Sequence, residues 1–451
     1  MTHPNTVLRV GATRYHRHPL DATWSRLIVL VVLGYLIMTR SFAYLGWPEF
    51  GLVLGELVIA AFFLTRWRQS FGALFGGMLK KQESSSLCWS LYLFLIYGVA
   101  QAIRGILDGF PPESALKSLV FSYYPLYVLC GLWLGYRYPR LLDRLVIALA
   151  WSNAIYGLAY ILILGHVSAF LPWAAEVPLF GQPAGSAVAI LALVTRGSSS
   201  RFSRLLLFLN VLVLLGLQVR AEWLGLLVGV LLWAVLTRRL SRLAVGSLLV
   251  AGVLATAYLG NLSLPSPQTR GGEISAGDIV GRLVASVNPD LASRYTENVD
   301  LYAGTSTWRL AWWSSIWNAA HSNGVSALLG QGYGYPMADL YHLTRGQADL
   351  RAPHSVFFFA LGYGGWLMVA LFTFLLLSLL RMCIRVHKSS GETFGMTFVA
   401  MSLAVALFSN YFEAPFGAIP FFVIIGLAIT TSQHQPRPGR VPVEHDSVSR
   451  T

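Results

Sequence analysis

Residues 350–366 read LRAPHSVFFFALGYGGW, so an arginine, a proline and a histidine stand immediately before a long apolar run. The run continues without a charged residue as far as Arg381, which exceeds the ~20 residues that a helix needs to cross a bilayer. Segments of this kind recur along the chain and predict an all-α, polytopic membrane protein. His354 then stands where the chain enters the membrane, and an ionisable group at that place needs an explanation.

The composition favours the same class. Of the 451 residues, 55% are hydrophobic and only 12% are charged, with a formal net charge of +13. In a soluble protein such a charge would suggest nucleic acid, but in a membrane protein the positions of the positive residues matter more than their sum. We therefore expect the lipid bilayer as a partner and no nucleic acid. Cys88, Cys130 and Cys383 lie in or beside apolar runs without CxxC spacing, which predicts buried thiols.

Apolar runs bounded by charges or by Pro and Gly clusters predict twelve membrane spans. An even number of spans places both termini on one side. The predicted spans begin near Leu27, Phe50, Leu87, Leu119, Leu145, Gly185, Leu205, Leu224, Leu243, Val356, Phe394 and Ala418.

The distribution of arginine and lysine predicts the orientation. If the N-terminus is cytoplasmic, each cytoplasmic segment carries three or four of these residues. The short connections on the opposite side hold only Arg40, Arg104, Lys117 and Arg220. This bias follows the positive-inside rule and predicts that both termini lie in the cytoplasm.

The spans divide the chain into five parts. Residues 1–26 and 433–451 are predicted cytoplasmic tails, 27–260 hold spans 1–9, and 355–432 hold spans 10–12. Residues 261–354 form a large extracytoplasmic loop between spans 9 and 10. The loop carries both arginines and acids, so any anion site in it must be built from individual arginines.

A tryptophan-rich helix is predicted inside this loop. Residues 306–323, STWRLAWWSSIWNAAHSN, open at Thr305 or Ser306 as a cap and close near Asn323 and Gly324. Indole rings favour the headgroup layer, so this helix is expected to lie along the membrane surface. One face of it has helical spacing and comprises Arg309, Trp312, Trp313, Ile316 and Ala320.

Three ionisable residues are predicted near one surface of the membrane: Arg220, Arg309 and His354. Each also has an ordinary structural explanation. Arg220 can extend its guanidinium to water, Arg309 can pair with an acid or stack on Trp313, and a histidine at a helix entrance can serve as a cap or interface residue. Spacing alone does not decide between these explanations and a functional role.

Three blocks of sequence occur in an order that resembles the O-antigen ligase and polymerase family. They are LQVRAEWLGLLVG (217–229), GTSTWRLAWWSSIWNAA (304–320) followed by LLGQGYGYP (328–336), and APHSVFFFALGYGGW (352–366). An earlier stretch, TRSFAYLGWPEFGLVLGELV (39–58), is similar to the entrance of the second span in many members. The resemblance covers essentially the whole chain in topology.

The resemblance implies a metal-independent, inverting glycosyltransferase that works without a cofactor. Such enzymes take a glycan from undecaprenyl diphosphate and pass it to an acceptor hydroxyl, such as lipid A-core or a growing glycan, on the periplasmic or outer face. By motif, the implied catalytic residues are Arg220, Arg309 and His354. The arginines can stabilise the departing diphosphate, and the histidine can accept the proton of the attacking hydroxyl.

Some positions depart from the family pattern. Val219 stands where Ser or Thr is more common, Glu222 lies two residues from Arg220, and Ser355 replaces a frequent Asn but can still cap the helix. Glu222 can orient Arg220 or weaken its hold on an anion, so it joins the candidate substrate-binding residues. Arg345 and Arg351 are further candidates for binding the glycan or the diphosphate.

Two other functional classes compete with a transferase. A multispan polysaccharide or lipid transporter or flippase would also need many spans, but no internal repeat is visible and the ionisable groups gather at one surface. A scaffolding protein gives no reason for the ordered blocks. Metal-binding and nucleotide-binding patterns such as HExxH and GxxxxGK[ST] are missing, and the acids are scattered, so no metal site is predicted.

Overall fold

The computed structural model describes residues 20–45, 54–79, 85–197, 200–267, 273–285, 288–340 and 352–430. These residues are mostly helical, and the all-α class predicted from the sequence is confirmed. Two small antiparallel hairpins interrupt the helices. They are formed by β1 (Phe170–Leu171) with β2 (Ala174–Pro178), and by β3 (Ser263–Pro265) with β4 (Glu273–Ser275).

Eighteen α-helices lie in the described part of the chain. The first ten are α1 (Leu20–Ala43), α2 (Leu54–Leu79), α3 (Ser85–Leu107), α4 (Pro112–Tyr123), α5 (Tyr127–Arg137), α6 (Leu141–Leu162), α7 (Ser186–Arg196), α8 (Arg201–Leu217), α9 (Arg220–Leu236) and α10 (Leu240–Leu259). The large loop holds α11 (Ala276–Val284), α12 (Pro289–Ala292), α13 (Val299–Ala320), α14 (Gly324–Leu329) and α15 (Met337–Leu340). The last three are α16 (Val356–Ser390), α17 (Phe394–Ala406) and α18 (Pro415–Thr430).

Several of these helices suit a lipid environment. Within the described ranges, five helical segments are long and apolar enough to cross a membrane: Asp21–Ala43, Ser85–Leu107, Pro112–Arg137, Leu141–Leu162 and Val356–Ser390. Three shorter apolar helices are α7, α17 and α18. A helix lies at or close to each predicted span, with α4 and α5 together in the place of the fourth. The total of twelve membrane crossings stays a prediction.

The outer faces of the described helices carry many large apolar side chains, as expected for a protein surrounded by lipid. On α6, for example, Leu149 and Ala150 are buried while Ile155 and Leu162 are 64% and 59% exposed. The three cysteines are free and buried, as predicted.

A buried polar cluster links α6, α7 and α8. The Asn153 side-chain amide donates hydrogen bonds to Ser186 Oγ and Asn210 Oδ1, each at 2.9 Å. The Asn210 amide in turn donates to the Ala150 carbonyl at 3.0 Å. Hydrogen bonds between helices hold membrane bundles together where the hydrophobic effect cannot.

Ion pairs connect helix ends that the sequence assigns to the cytoplasmic side. Asp21 on α1 pairs with Arg66 on α2 and, at 2.7 Å, with Arg137 on α5. These contacts place the start of α1 and the end of α5 at the same end of the bundle.

The opposite end of the bundle carries the candidate site. Helix α9 runs antiparallel to α17, because Gly225 packs on Val405 and Met401 whereas Gly229, one turn later, packs on Met401 and Thr397. A side chain at Gly225 would collide with Val405, so glycine lets the two backbones approach closely. The start of α9, at Arg220, therefore lies beside the end of α17.

The tryptophan-rich helix is longer than predicted. It begins at Val299 rather than at Thr305 or Ser306, and it ends at Ala320. Residues 299–304 include no proline, and Asp300 in the first turn favours a helix start, while Gly304 costs only about 1 kcal/mol. Asn323, which follows α13, caps the next helix, because its side chain accepts a hydrogen bond from the Ser326 amide of α14 at 2.8 Å.

Candidate functional site

Helix α13 packs on the start of α16 and brings Arg309 and His354 together. Three residues of the α13 face that has helical spacing are buried in the protein: Trp312 is 0%, Ile316 1% and Ala320 2% exposed. That this helix lies along the membrane surface stays a prediction. Trp313 fixes the segment that precedes α16, because its Nε1 donates a hydrogen bond to the Pro353 carbonyl at 2.8 Å.

His354 itself sits in an unusual backbone conformation between α13 and α16. Its φ is 55°, in the left-handed region that few residues other than glycine adopt. The imidazole lies edge-on to the Trp308 ring, with the ring centroids 5.8 Å apart. Such conformations persist where the surroundings enforce them, and they concentrate at functional sites.

The surroundings of His354 keep its imidazole neutral. Burial and, to a smaller extent, repulsion of the imidazolium by the neighbouring Arg309 guanidinium together lower the pKa of His354 to about 4. At neutral pH the ring therefore carries no charge and has a free nitrogen lone pair. Ser355 occupies the cap position of α16 as predicted, but its side chain makes no capping hydrogen bond.

Arg220 does not extend into solvent. As the first residue of α9, it donates hydrogen bonds to the Arg282 carbonyl of α11 at 3.1 Å and to the Tyr302 carbonyl of α13 at 3.3 Å. Tyr302 and Arg309 are seven residues apart, so they project from the same face of α13 about 10 Å apart along its axis. Helix α13 is thus the common support: Arg220 binds near its start, and Arg309 and His354 meet two turns further on.

Arg282 is a fourth basic residue of this region that sequence reasoning did not select. Its guanidinium lies 4.0 Å from the centroid of the Tyr302 ring and is close enough to Arg220 for the two charges to repel each other. The Tyr302 hydroxyl donates to Asp278 at 3.1 Å, and Asp278 also accepts hydrogen bonds from the Ser275 and Thr296 hydroxyls. Two arginines held side by side in a protected place form a good environment for an anion.

The turn-rich block LLGQGYGYP (328–336), at the end of α14, also fixes the start of α16. The α16 helix breaks at Gly365, whose φ is 64°. The backbone carbonyls left open by the break are occupied: the Gln331 and Gly332 amides donate to Gly362 and Tyr363, each at 2.9 Å. The glycines of LLGQGYGYP and of GYGGW therefore allow the two segments to pack closely.

Gly330 and Gly365 pack backbone against backbone. A methyl group on Gly365 would collide with the Leu328 carbonyl, and one on Gly330 would come within 2.5 Å of the Gly365 amide. Both glycines also have positive φ, so other residues would be strained there in any case. Arg104 of α3 closes the junction by donating to the Leu329 and Gly330 carbonyls, each at 3.1 Å.

Glu222 faces away from the arginines. It is only 9% exposed, and it lines a cavity of about 220 Å³ between α1, α7, α9 and the connection at 407–414. Arg220, two residues earlier, reaches α11 and α13 instead. Arg345 and Arg351, the further candidates for substrate binding, lie outside the described residues. Within the described ranges, no group of three His, Cys, Asp or Glu side chains is arranged to hold a metal ion.

Comparison with known proteins gives no assignment. No family model matches the chain, and no curated protein matches it. The function therefore has to be argued from the arrangement of the site.

Proposed function

We propose that this chain is an integral membrane glycosyltransferase of the O-antigen ligase and polymerase class. It would move a glycan from undecaprenyl diphosphate to an acceptor hydroxyl in the biosynthesis of cell-surface polysaccharide. The observation that carries the proposal is the placement of His354 beside Arg309 of α13, a helix whose first turn also accepts a hydrogen bond from Arg220. A base next to cations is what transfer from a diphosphate requires.

The reaction divides between these groups. The acceptor hydroxyl attacks the anomeric carbon, its proton passes to the imidazole of His354, and the bond between the anomeric carbon and the diphosphate oxygen breaks. The diphosphate leaves with the electron pair and gains negative charge. Arg309 would stabilise that charge beside His354, and Arg220 with Arg282 would hold the lipid diphosphate through charge-assisted hydrogen bonds.

Donor binding would also strengthen the base. Besides burial, the positive charge of Arg309 lowers the pKa of His354. A bound diphosphate neutralises that charge, so protonation of the imidazole becomes easier once the donor is in place. The histidine would then accept a proton most readily in the complex that needs it.

The position of the site in the membrane follows from the same proposal. We place both termini in the cytoplasm and the Arg220, Arg309 and His354 side chains at the periplasmic surface of a bacterial inner membrane. The distribution of arginine and lysine supports this orientation. The lipid-linked donor would enter from the outer leaflet of the bilayer.

A deletion strain of the source bacterium tests the proposal. Plasmids encoding Arg220→Ala, Arg309→Ala or His354→Ala should fail to restore the surface polysaccharide, whereas Arg294→Ala and His321→Ala, at exposed positions in the same loop, should restore it. All variants must reach wild-type levels in the membrane. Wild-type polysaccharide from the three site variants would refute the site.

The same strain separates the possible reactions. Loss of glycan ladders on lipid A-core would indicate a ligase, and a single-repeat band would indicate a polymerase. A transporter or flippase would instead leave the lipid-linked glycan on the cytoplasmic leaflet, protected from enzymes added to the outside of spheroplasts. That result would replace the proposal.

A further inference from the structure

The cavity beside Glu222 lies at the same end of the bundle as the arginines. Val219, Ala221 and Glu222, from the beginning of α9, form one wall of it. The intervening residue, Arg220, bonds to the carbonyls of α11 and α13. The cavity and the arginine pair therefore lie on either side of the first turn of α9.

The lining of the cavity combines hydrogen-bonding groups with apolar walls. The polar side chains include a carboxylate from Glu222, a phenol from Tyr411 and amides from Gln182 and Asn410, while Phe416 and Met401 supply apolar surface. Specific small-molecule sites have this composition, with a few placed polar groups on a mostly apolar wall.

Tyr411 brings a buried phenol hydroxyl to the cavity. Its hydroxyl oxygen is buried and makes no hydrogen bond of normal geometry within the described residues. Burial raises the pKa of Tyr411 to about 12, with the nearby Ser402 hydroxyl opposing the rise and the charge of Glu222 adding to it. The phenol therefore keeps its proton, and it shares the cavity with a carboxylate. A buried polar group without a partner is costly, so an occupant that accepts and donates hydrogen bonds is favoured.

The size of the cavity restricts the occupant. About 220 Å³ corresponds to about seven water molecules at about 30 Å³ each, which suits one six-membered ring with its substituents and excludes an oligosaccharide. The backbone around it is also constrained. Thr39, which lines the cavity, has φ 41° and ψ −116°, a rare conformation for a β-branched residue.

We infer that this cavity binds one sugar ring of the lipid-linked glycan, with Glu222 and Tyr411 as the residues that recognise its hydroxyl groups. Sugars present hydroxyl groups around the ring edge and apolar C–H groups on the ring faces, which matches this lining. The inference rests on the proposed function and adds to it a subsite for sugar recognition. Because Glu222 and Arg220 share the first turn of α9, the ring bonded to the diphosphate is the natural occupant.

Binding measurements with two kinds of probe test the inference. The full chain in lipid nanodiscs is titrated with farnesyl diphosphate, which has no sugar, and with farnesyl diphosphate carrying N-acetylglucosamine, galactose or glucose. At least one sugar-bearing probe should bind about tenfold or more tightly than farnesyl diphosphate, since hydrogen bonds to charged groups are individually strong. Glu222→Gln and Tyr411→Phe should remove that advantage and leave the affinity for farnesyl diphosphate unchanged.

Control variants separate the subsite from general damage. Glu297→Gln and Tyr295→Phe make the same chemical changes at exposed positions of the large loop and should retain the sugar advantage. Arg220→Gln should weaken all probes equally, because it removes a contact to the shared diphosphate.

Each outcome has a distinct meaning. If farnesyl diphosphate does not bind the wild-type protein, the proposed function is wrong. If it binds, but no sugar improves binding or the advantage survives in Glu222→Gln and Tyr411→Phe, the sugar subsite is wrong and the proposed function stands. If these two variants change only the KM for a glycan acceptor in a transfer assay, the ring in the cavity belongs to the acceptor and our choice of the donor ring is overturned.

Discussion

The electrostatic coupling between Arg309 and His354 gives the sharpest prediction. Replacing Arg309 by Gln removes a positive charge that opposes protonation of the imidazole, so the pKa of His354 must rise. Burial is the larger of the two causes that lower this pKa from 6.5 to about 4. Arg309 therefore accounts for less than half of that fall. In Arg309→Gln the pKa of His354 should lie above 4 but below about 5.3, and at 1.36 kcal/mol per pKa unit this change corresponds to at most about 1.7 kcal/mol.

Two assays measure this change. Histidine labelled with ¹³C in the ring gives ten titrating signals, and the signal lost in His354→Asn identifies the one of interest. In a transfer assay, the acid limb of kcat/KM reports the free enzyme and that of kcat reports the donor complex. Because the donor diphosphate neutralises Arg309, the kcat limb of the wild type should lie at higher pH than its kcat/KM limb.

The matched control is Arg294→Gln, which removes an exposed arginine of the same loop and should leave the titration of His354 unchanged. Two results would refute the reasoning. One is a His354 signal in the wild type that titrates at or above 6.5, and the other is an unchanged titration in Arg309→Gln.

Three further predictions concern the support of the site and its chemistry. Gly365→Ala forces a side chain against the Leu328 carbonyl at a positive φ, a strain of at least about 1–3 kcal/mol. Transfer should fall about tenfold or more, while Gly304→Ala, with open space around it, should be tolerated; equal activities would contradict the account of the break in α16. Burial raises the pKa of Glu413 to about 8, so between pH 4.5 and 8 the folded state retains a proton that the unfolded state loses, and its stability falls as pH rises. Glu413→Gln should therefore raise the melting temperature by at least about 2 °C at pH 8.5 and by less at pH 5.5, and a gain independent of pH would argue against a buried, protonated acid. Finally, EDTA should not inhibit transfer by the purified protein, and a loss of activity restored by a divalent metal would show that the arginines do not act alone.

The sequence predicts most of the helices because apolar runs and charged boundaries are local properties of the chain. It also identifies Trp312 and Ile316 as members of one face of α13, since they follow helical spacing, but the burial of both residues in the protein comes from tertiary contacts. The sequence predicts too late a start for α13, because Thr305 and Ser306 resemble a cap locally while the helix continues through them. The β1–β2 hairpin was missed for a related reason, as its strands are short and carry no clear alternation.

Tertiary contacts account for the rest of the differences. Arg282 carries no local mark of function, and only the packing of α11 on α13 brings it to Tyr302 and Arg220. Whether the Glu222 side chain reaches the arginines or the cavity likewise depends on which helices pack against each side of α9. Although Arg220 and Glu222 are only two residues apart in the chain, Arg220 bonds to α11 and α13 whereas Glu222 lines the cavity on the other side of α9.

The most direct test of the central claim is a single-turnover experiment with the purified protein and its native lipid-linked glycan, extracted from the deletion strain. Wild-type protein should release undecaprenyl diphosphate and form a new glycosidic bond in equal amounts. His354→Ala should bind the donor with unchanged affinity and form neither product at a measurable rate. Product formation by His354→Ala at the wild-type rate would contradict the claim that this imidazole accepts the proton of the attacking hydroxyl.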